Sequence, residues 1–296
     1  MNRFVKSCLI ASFLALVAMS PKAVAQQKPK IQWQEGPTIG SLGDIAQLRV
    51  PEGYLFSGKD GTQKFLELNE VSSDGEELGV LVPDSRDPKS FWYATFRFEE
   101  TGYVGDDEKN HLDDNTILGS IEKATEDANG TMQSRGWATV HVTGWKEAPI
   151  YDSVRNSLIW GVAGYSVDPK SGRAEITNYL FRLLGRRGVM SCQLVASADQ
   201  IDAAVPSFES VLQGFSYLPG QKYSDFQSGD AKSKYGLTGL ILGGGAVAIA
   251  SKTGLLAVLW KFLVVIAAGV LATLKRIIRY LKKMFTGRAS EEELSK

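Results

Sequence analysis

The chain has 296 residues, in which 33 Lys and Arg are matched by 33 Asp and Glu, and it holds only two cysteines. A zero balance offers no basic face for nucleic acid. Two cysteines cannot build a disulfide framework or a cysteine-based metal cluster.

Arg3 and Lys6 precede an apolar run from Cys8 to Met19, and Ala23-Val24-Ala25 has the small-residue pattern a signal peptidase requires. Residues 1–25 are therefore expected to be an export signal cleaved after Ala25. Its apolar run is about a dozen residues, short of the roughly twenty that span a bilayer. Cleavage removes three cations and no acid, leaving the remainder about three net negative with Cys192 as its lone thiol. Cys8 lies inside the apolar run and not at the cleavage point, so lipid attachment is not expected. Without a disulfide framework the exported part reads as bacterial and periplasmic.

Residues 26–40 read as a polar leader, with regular structure starting near Ile31, and residues 41–226 as the body of one periplasmic domain. A weak helical pattern spans Thr62 to Val71. In FWYATFRFEE, Trp92, Ala94, Phe96 and Phe98 alternate with Phe91, Tyr93, Thr95 and Arg97 at the period of two that a strand demands. Both faces are apolar at its start, so this strand is expected at the centre of a covered sheet.

The loop GYVGDDEKNHLDDN follows, concentrating Asp106, Asp107, Glu108, Asp113 and Asp114 beside His111. Several carboxylates in one loop suit a hard cation, but the spacing matches no calcium loop. A solvated turn in which Asp113 or Asp114 caps a helix through Ile117, Ile121, Ala124 and Ala128 is the plainer reading, and no metal or cofactor is expected. The Asn129-Gly130-Thr131 sequon is expected on a surface loop.

WATVHVTGW, SLIWGVAGYSV, AEITNYLFRLLG and VMSCQLVAS read as consecutive antiparallel strands, the middle two joined across Asp168-Pro169-Lys170-Ser171-Gly172. Trp145 and His141 fall in the first of them, and Cys192 in the last reads as a small core residue. RLLGRRGV places Arg182, Arg186 and Arg187 about a glycine turn, where they would hold an anion or pair with the acidic loop. Pro206 to Leu212 opens another helix. The fold class expected is α+β, one antiparallel sheet with helices packed on it, its strands grouped in the second half.

Toward the C-terminus, residues 236–274 form a glycine-rich apolar segment followed by an anchor. Gly254 to Leu274 is 21 residues, about 31 Å as a helix and long enough for one transmembrane span. Lys261 interrupts it, and a cation there snorkels or faces a partner helix. Gly239 and Gly243 have the spacing of a helix-packing face, which leaves a homo-oligomer and a helical hairpin open. The basic tail, residues 275–296, is expected on the cytoplasmic side against anionic headgroups. This gives a single-pass inner-membrane protein with its main domain in the periplasm.

In order along the chain, VPEGYLF, GYVGDDEKNHLDDN, GWKEAPIYD, RLLGRRGV and GQKYSDF followed by KYGLTGLILGGGA resemble the bacterial membrane-anchored family catalogued as domain of unknown function (DUF) 2167. The resemblance implies no catalytic residues. The closing pattern AAVPSFESVLQGFSYLPG is similar to the end of small PsbP-like and Mog1-like sandwich domains, which implies an accessory or interaction domain. The function expected is thus a periplasmic interaction or sensing module that binds a protein or envelope component, with Asp106, Asp107, His111, Trp145, Arg182, Arg186 and Arg187 as candidates. The alternatives are an envelope-acting hydrolase using the acidic loop and His111, or a small membrane oligomer linked to transport or stress.

Overall fold

The computed structural model describes residues 31–243 apart from 70, 72, 86–91 and 170. The signal-like segment, the run 254–274 with Lys261 and the basic tail lie outside the described residues. Among the described residues no helix is long and apolar enough to cross a membrane.

The chain builds two antiparallel sheets and passes between them early. β1 (Gln34–Glu35) opens the large sheet, β2 (Thr38–Leu42) and β3 (Ala46–Val50) pair in the small one, and β4 (Tyr54–Gly58) returns to the large. The crossing is made at Gly53, whose φ of 84° is one that a side chain disfavours. α1 (Lys59–Leu68), β5 (Glu77–Pro83) and β6 (Trp92–Glu99) follow, then α2 (Asp114–Ser134). The long strands β7 (Thr139–Asp152), β8 (Ser157–Asp168), β9 (Gly172–Leu184) and β10 (Val189–Ala196) lead to α3 (Ile201–Leu212), β11 (Phe215–Tyr217) and α4 (Leu237–Ile241). Among the described residues the large sheet runs β1-β4-β5-β6-β10-β9-β8-β7 and the small one β11-β3-β2.

Both faces of the large sheet are covered. On one, Phe56, Trp92, Phe96, Phe181 and Cys192 pack against α3, through Phe208, and the small sheet, through Leu42 and Leu48. On the other, α1 covers Leu55, Val80 and Tyr93, whereas Ile117 of α2 and Leu237 and Leu240 of α4 cover Leu158, Trp160 and Val189. The alternation read in β6 has this cause: Trp92, Ala94 and Phe96 face the first layer and Tyr93 the second. As expected, β6 is interior, paired with β5 and β10.

Several expectations need correction. The α+β class holds, but strands are not confined to the second half: five precede residue 84, of which β4 and β5 are buried on both faces and so show no alternation. The single sheet is two sheets; regular structure begins at Gln34, close to the Ile31 expected for it and within the leader 26–40. Order also continues past residue 226 into α4, so the start of the glycine-rich segment 236–274 contributes core side chains. The helix at Pro206 begins earlier, at Ile201; burial of Ile201 and Ala204 outweighs the amide that Pro206 lacks. The sequon is not on a loop, since Asn129 is buried in α2.

That asparagine secures an edge. β7 is the outermost long strand, and Asn129 donates from Nδ2 to the Val140 carbonyl (2.7 Å) and accepts through Oδ1 from the Val140 amide (2.9 Å). Register shifts between Val142 and Gly144, Trp145 and Glu147, and Glu147 and Ile150 further spoil β7 as a template for a foreign strand.

The small sheet is held to the large one by Tyr217. Its hydroxyl donates to the Leu183 carbonyl (2.5 Å) and accepts from the Met190 amide (2.9 Å). The ring reaches them across Gly185, where a Cβ would stand 2.7 Å from the tyrosine Cζ. Tyr217→Phe is expected to lose about 1–3 kcal/mol, the cost of orphaning buried polar groups. Gly185→Ala is expected to destabilise by displacing the ring. Urea unfolding midpoints of the two variants check both, and midpoints equal to that of the parent protein would remove the clamp.

Candidate functional site

The sequence-selected residues do not converge. Asp113 caps α2, accepting from the Thr116 amide at 3.0 Å, which together with the Thr116 hydroxyl holds its carboxyl below the ordinary range. Asp106 pairs with Lys109 (2.9 Å), and Glu108 accepts the Thr238 amide at the start of α4 (2.7 Å). Asp107 and His111 are exposed. Trp145 donates from Nε1 to the Asp114 carbonyl (3.2 Å) and packs against the α2 and α4 side of the core. Among the described residues no group of three or more His, Cys, Asp or Glu is placed to hold a metal ion.

The three arginines separate, and pairing with the acidic loop, one of the two roles expected of them, is not what they do. Arg182 is buried with its guanidinium 5.4 Å over the Trp160 ring. Arg186 binds Asp230 through two contacts of 2.7 and 2.8 Å, and Arg187 donates to Gln221 (3.1 Å). Arg186 thereby straps residues 221–233 over the β9–β10 turn, and this bond lowers the Asp230 pKa to about 2. Gly239 sits on α4 against Tyr235, and Gly243 has a φ of 97°. His141 lies on β7 as a sheet residue, 2.8 Å from Glu126 and stacked on Tyr165. Cys192 is fully buried, which pushes its thiol far above the ordinary range, so it is a core residue and no nucleophile.

What converges is a set the sequence did not single out. A cavity of about 310 Å³ lies where the large sheet, the end of α3 and β11 meet. Ile159, Phe181, Leu183, Leu212, Phe215 and Tyr217 supply apolar lining; Arg155, Glu209 and Lys222 bring charge. Arg155 belongs to the β7–β8 turn, where Asp152 accepts the Val154 and Arg155 amides (2.8 and 3.2 Å) and Asn156 takes a φ of 50°. The Asn156 carbonyl accepts the Leu184 amide (2.8 Å), so the turn is fixed to β9 and the wall is preformed.

Beyond Glu209 the site continues along the same sheet face. Glu147, Gly161 and Tyr179 are in register across β7, β8 and β9. A Cβ on Gly161 would stand 2.7 Å from the Tyr179 ring, so this glycine lets the ring lie over β8 toward β7. Burial and then the Glu147 carboxylate push the Tyr179 hydroxyl up to about 12. Burial, then Glu147, raises the Glu209 carboxyl above its ordinary value, and Arg155 opposes this. The cavity is thus apolar inside, with an unfavourably placed carboxylate on one wall and two cations at its edge.

A raised carboxyl pKa destabilises the folded state once the group ionises. The associated stability is present below the ordinary glutamate value, about 4.3, and is lost as pH rises through the folded value. Glu209→Gln should therefore unfold at higher temperature than the parent protein at pH 7, the difference vanishing near pH 4. Thermal unfolding at both pH values measures this; a variant less stable at pH 7 would sink the assignment.

Comparison with known proteins bears on identity. Among solved structures, the solution structure of cyanobacterial PsbP (CyanoP) from Synechocystis sp. PCC 6803 is similar over 67% of this chain and 100% of its own, at 11% identity and a TM-score of 0.35. No curated protein matches. A family model described as Protein of unknown function (DUF2167) matches residues 34–275. That span takes in the sequence blocks quoted above together with both sheets and all four described α-helices, and the chain belongs to the DUF2167 family.

Proposed function

We propose that this protein is a binding module of the bacterial envelope, exported by residues 1–25 and tethered through residues 254–274, and that its ligand site is the cavity between the two sheets. The observation that carries the reading is the preformed apolar cavity of about 310 Å³, at the lower end of the range of ligand sites, about 300–1,000 Å³. Its walls come from a pinned turn, the end of a helix and a clamped strand, so little ordering is left to oppose binding. Location rests on the signal-like composition of the first segment, the apolar run and the cations after it. The acidic loop supports the hydrolase reading less well, because Asp106, Glu108 and Asp113 are each engaged in local structure.

Native mass spectrometry of the full chain, released from its own membranes, tests the site. A bound small molecule is expected on the parent protein and is expected to be lost from Ile159→Trp, which fills the cavity, and from Gln213→Trp, at an exposed position on its lining. Identical ligand-free spectra for all three would end the proposal. The tether is checked separately by a reporter enzyme fused behind Lys296, expected to be active on the cytoplasmic side only.

A further inference from the structure

We infer that the cavity takes a single-chain anionic amphiphile, its alkyl chain among Ile159, Leu183, Phe215 and Tyr217 and its anionic head at Lys222. This deepens the binding reading above and rests on it. The first support is the division of the lining. The strand residues are uncharged and, apart from Ser157 and Ser216, apolar or aromatic, whereas the charged ones belong to the β7–β8 turn, the last turn of α3 and the segment after β11.

The second support is a charge account. Arg155 is within 3.1 Å of Asp152, which partly neutralises it, and Glu209 opposes it across the cavity. Asp225, the carboxylate nearest Lys222 in sequence, spends one oxygen on the Gly220 and Lys222 amides (2.9 and 3.1 Å). Among the described residues Lys222 is in no ion pair, so it is the lining cation without a carboxylate in contact. An apolar body with one negative end satisfies both parts, whereas a cationic head would meet Lys222 and Arg155 unfavourably.

The third support is the surface beside the cavity. Val154, next to Arg155 on the same turn, is 91% exposed, an apolar side chain held out by the Asp152 turn. An exposed aliphatic residue beside a cation, Arg155, suits delivery of a ligand from a lipid surface.

Photolabelling of the full chain in lipid nanodiscs tests the inference with three probes that each carry a terminal diazirine on a decyl chain: decanoate, decanol and decyltrimethylammonium. Peptides containing Ile159 and Phe215 are the readout, with unlabelled decanoate as competitor. Decanoate is expected to label them about tenfold more than decyltrimethylammonium, as one hydrogen bond to a charged group would give. Lys222→Gln is expected to bring the anion and the cation to near parity, and Ile159→Trp to remove labelling by all three. Equal labelling by anion and cation, or an unchanged anion preference in Lys222→Gln, overturns the assignment of ligand charge while the cavity remains a site. No labelling of these peptides by any chain overturns the amphiphile altogether. If the native ligand also survives Ile159→Trp, the binding reading falls with it.

Discussion

The architecture turns on one buried hydroxyl. Tyr217 belongs to a three-residue strand of the small sheet, yet its oxygen bonds the backbone of two neighbouring strands of the large one. Three residues of pairing with β3 supply little cohesion alone. Apolar packing of Leu42 and Leu48 on Phe56 and Phe96 brings the sheets together without direction, and the hydroxyl fixes their register. Because β11 also lines the cavity, that register sets the cavity's width. Burial pushes the phenol far above its ordinary value, so the clamp stays protonated and does not respond to physiological pH.

Glycine appears wherever an aromatic ring must cross a strand. Gly185 makes room for Tyr217, Gly161 for Tyr179, and Gly40 and Gly79 approach different atoms of the Phe56 ring. In each case a Cβ would stand less than 3.0 Å from ring atoms, closer than packed atoms tolerate. The same device serves structure at Phe56 and the candidate site at Tyr179, which ties the shape of the cavity region to the packing of the core.

The segment after β11 joins the site to the other face of the sheet. Arg186 to Asp230, Tyr223 to the Val104 carbonyl (2.9 Å) and Glu108 to the α4 amide hold residues 221–241 along the domain. Lys222 is fixed at the cavity by the opening of this strap, and Leu237 and Leu240 close the core beyond Trp160 at its other end. Arg186 and Arg187, expected to pair within the structure, do so with the C-terminal strap and not with the acidic loop, which grips the same strap through Glu108.

Much of the fold was legible where a local pattern has one physical cause. The alternation in β6 reports two covered faces, Asp113 reports a helix start, and the Asp168–Gly172 turn reports a hairpin, since each is decided within a few residues. The strands before residue 84 were not legible: β4 and β5 are buried on both faces and show no alternation, and β2 and β3 alternate over only five residues. Asn129 misled, because the same triplet that marks a surface loop served here to satisfy a strand edge. The candidate site was scarcely legible. Several of its residues fall in GQKYSDF, RLLGRRGV and AAVPSFESVLQGFSYLPG, which stood out only as family or fold resemblances and not as a site.

The sequence by itself determined the family, the α+β class, the central strand and the capped helix, all properties of contiguous residues. Tertiary structure alone decided which side chains meet. Arg155, Ile159, Phe181, Glu209, Tyr217 and Lys222 come from separate elements spread over 68 positions of the chain, 155 to 222. No spacing rule links such residues, because their proximity is set by how two sheets and a helix close on a shared core, and that closure is a property of packed surfaces, not of neighbours along the backbone.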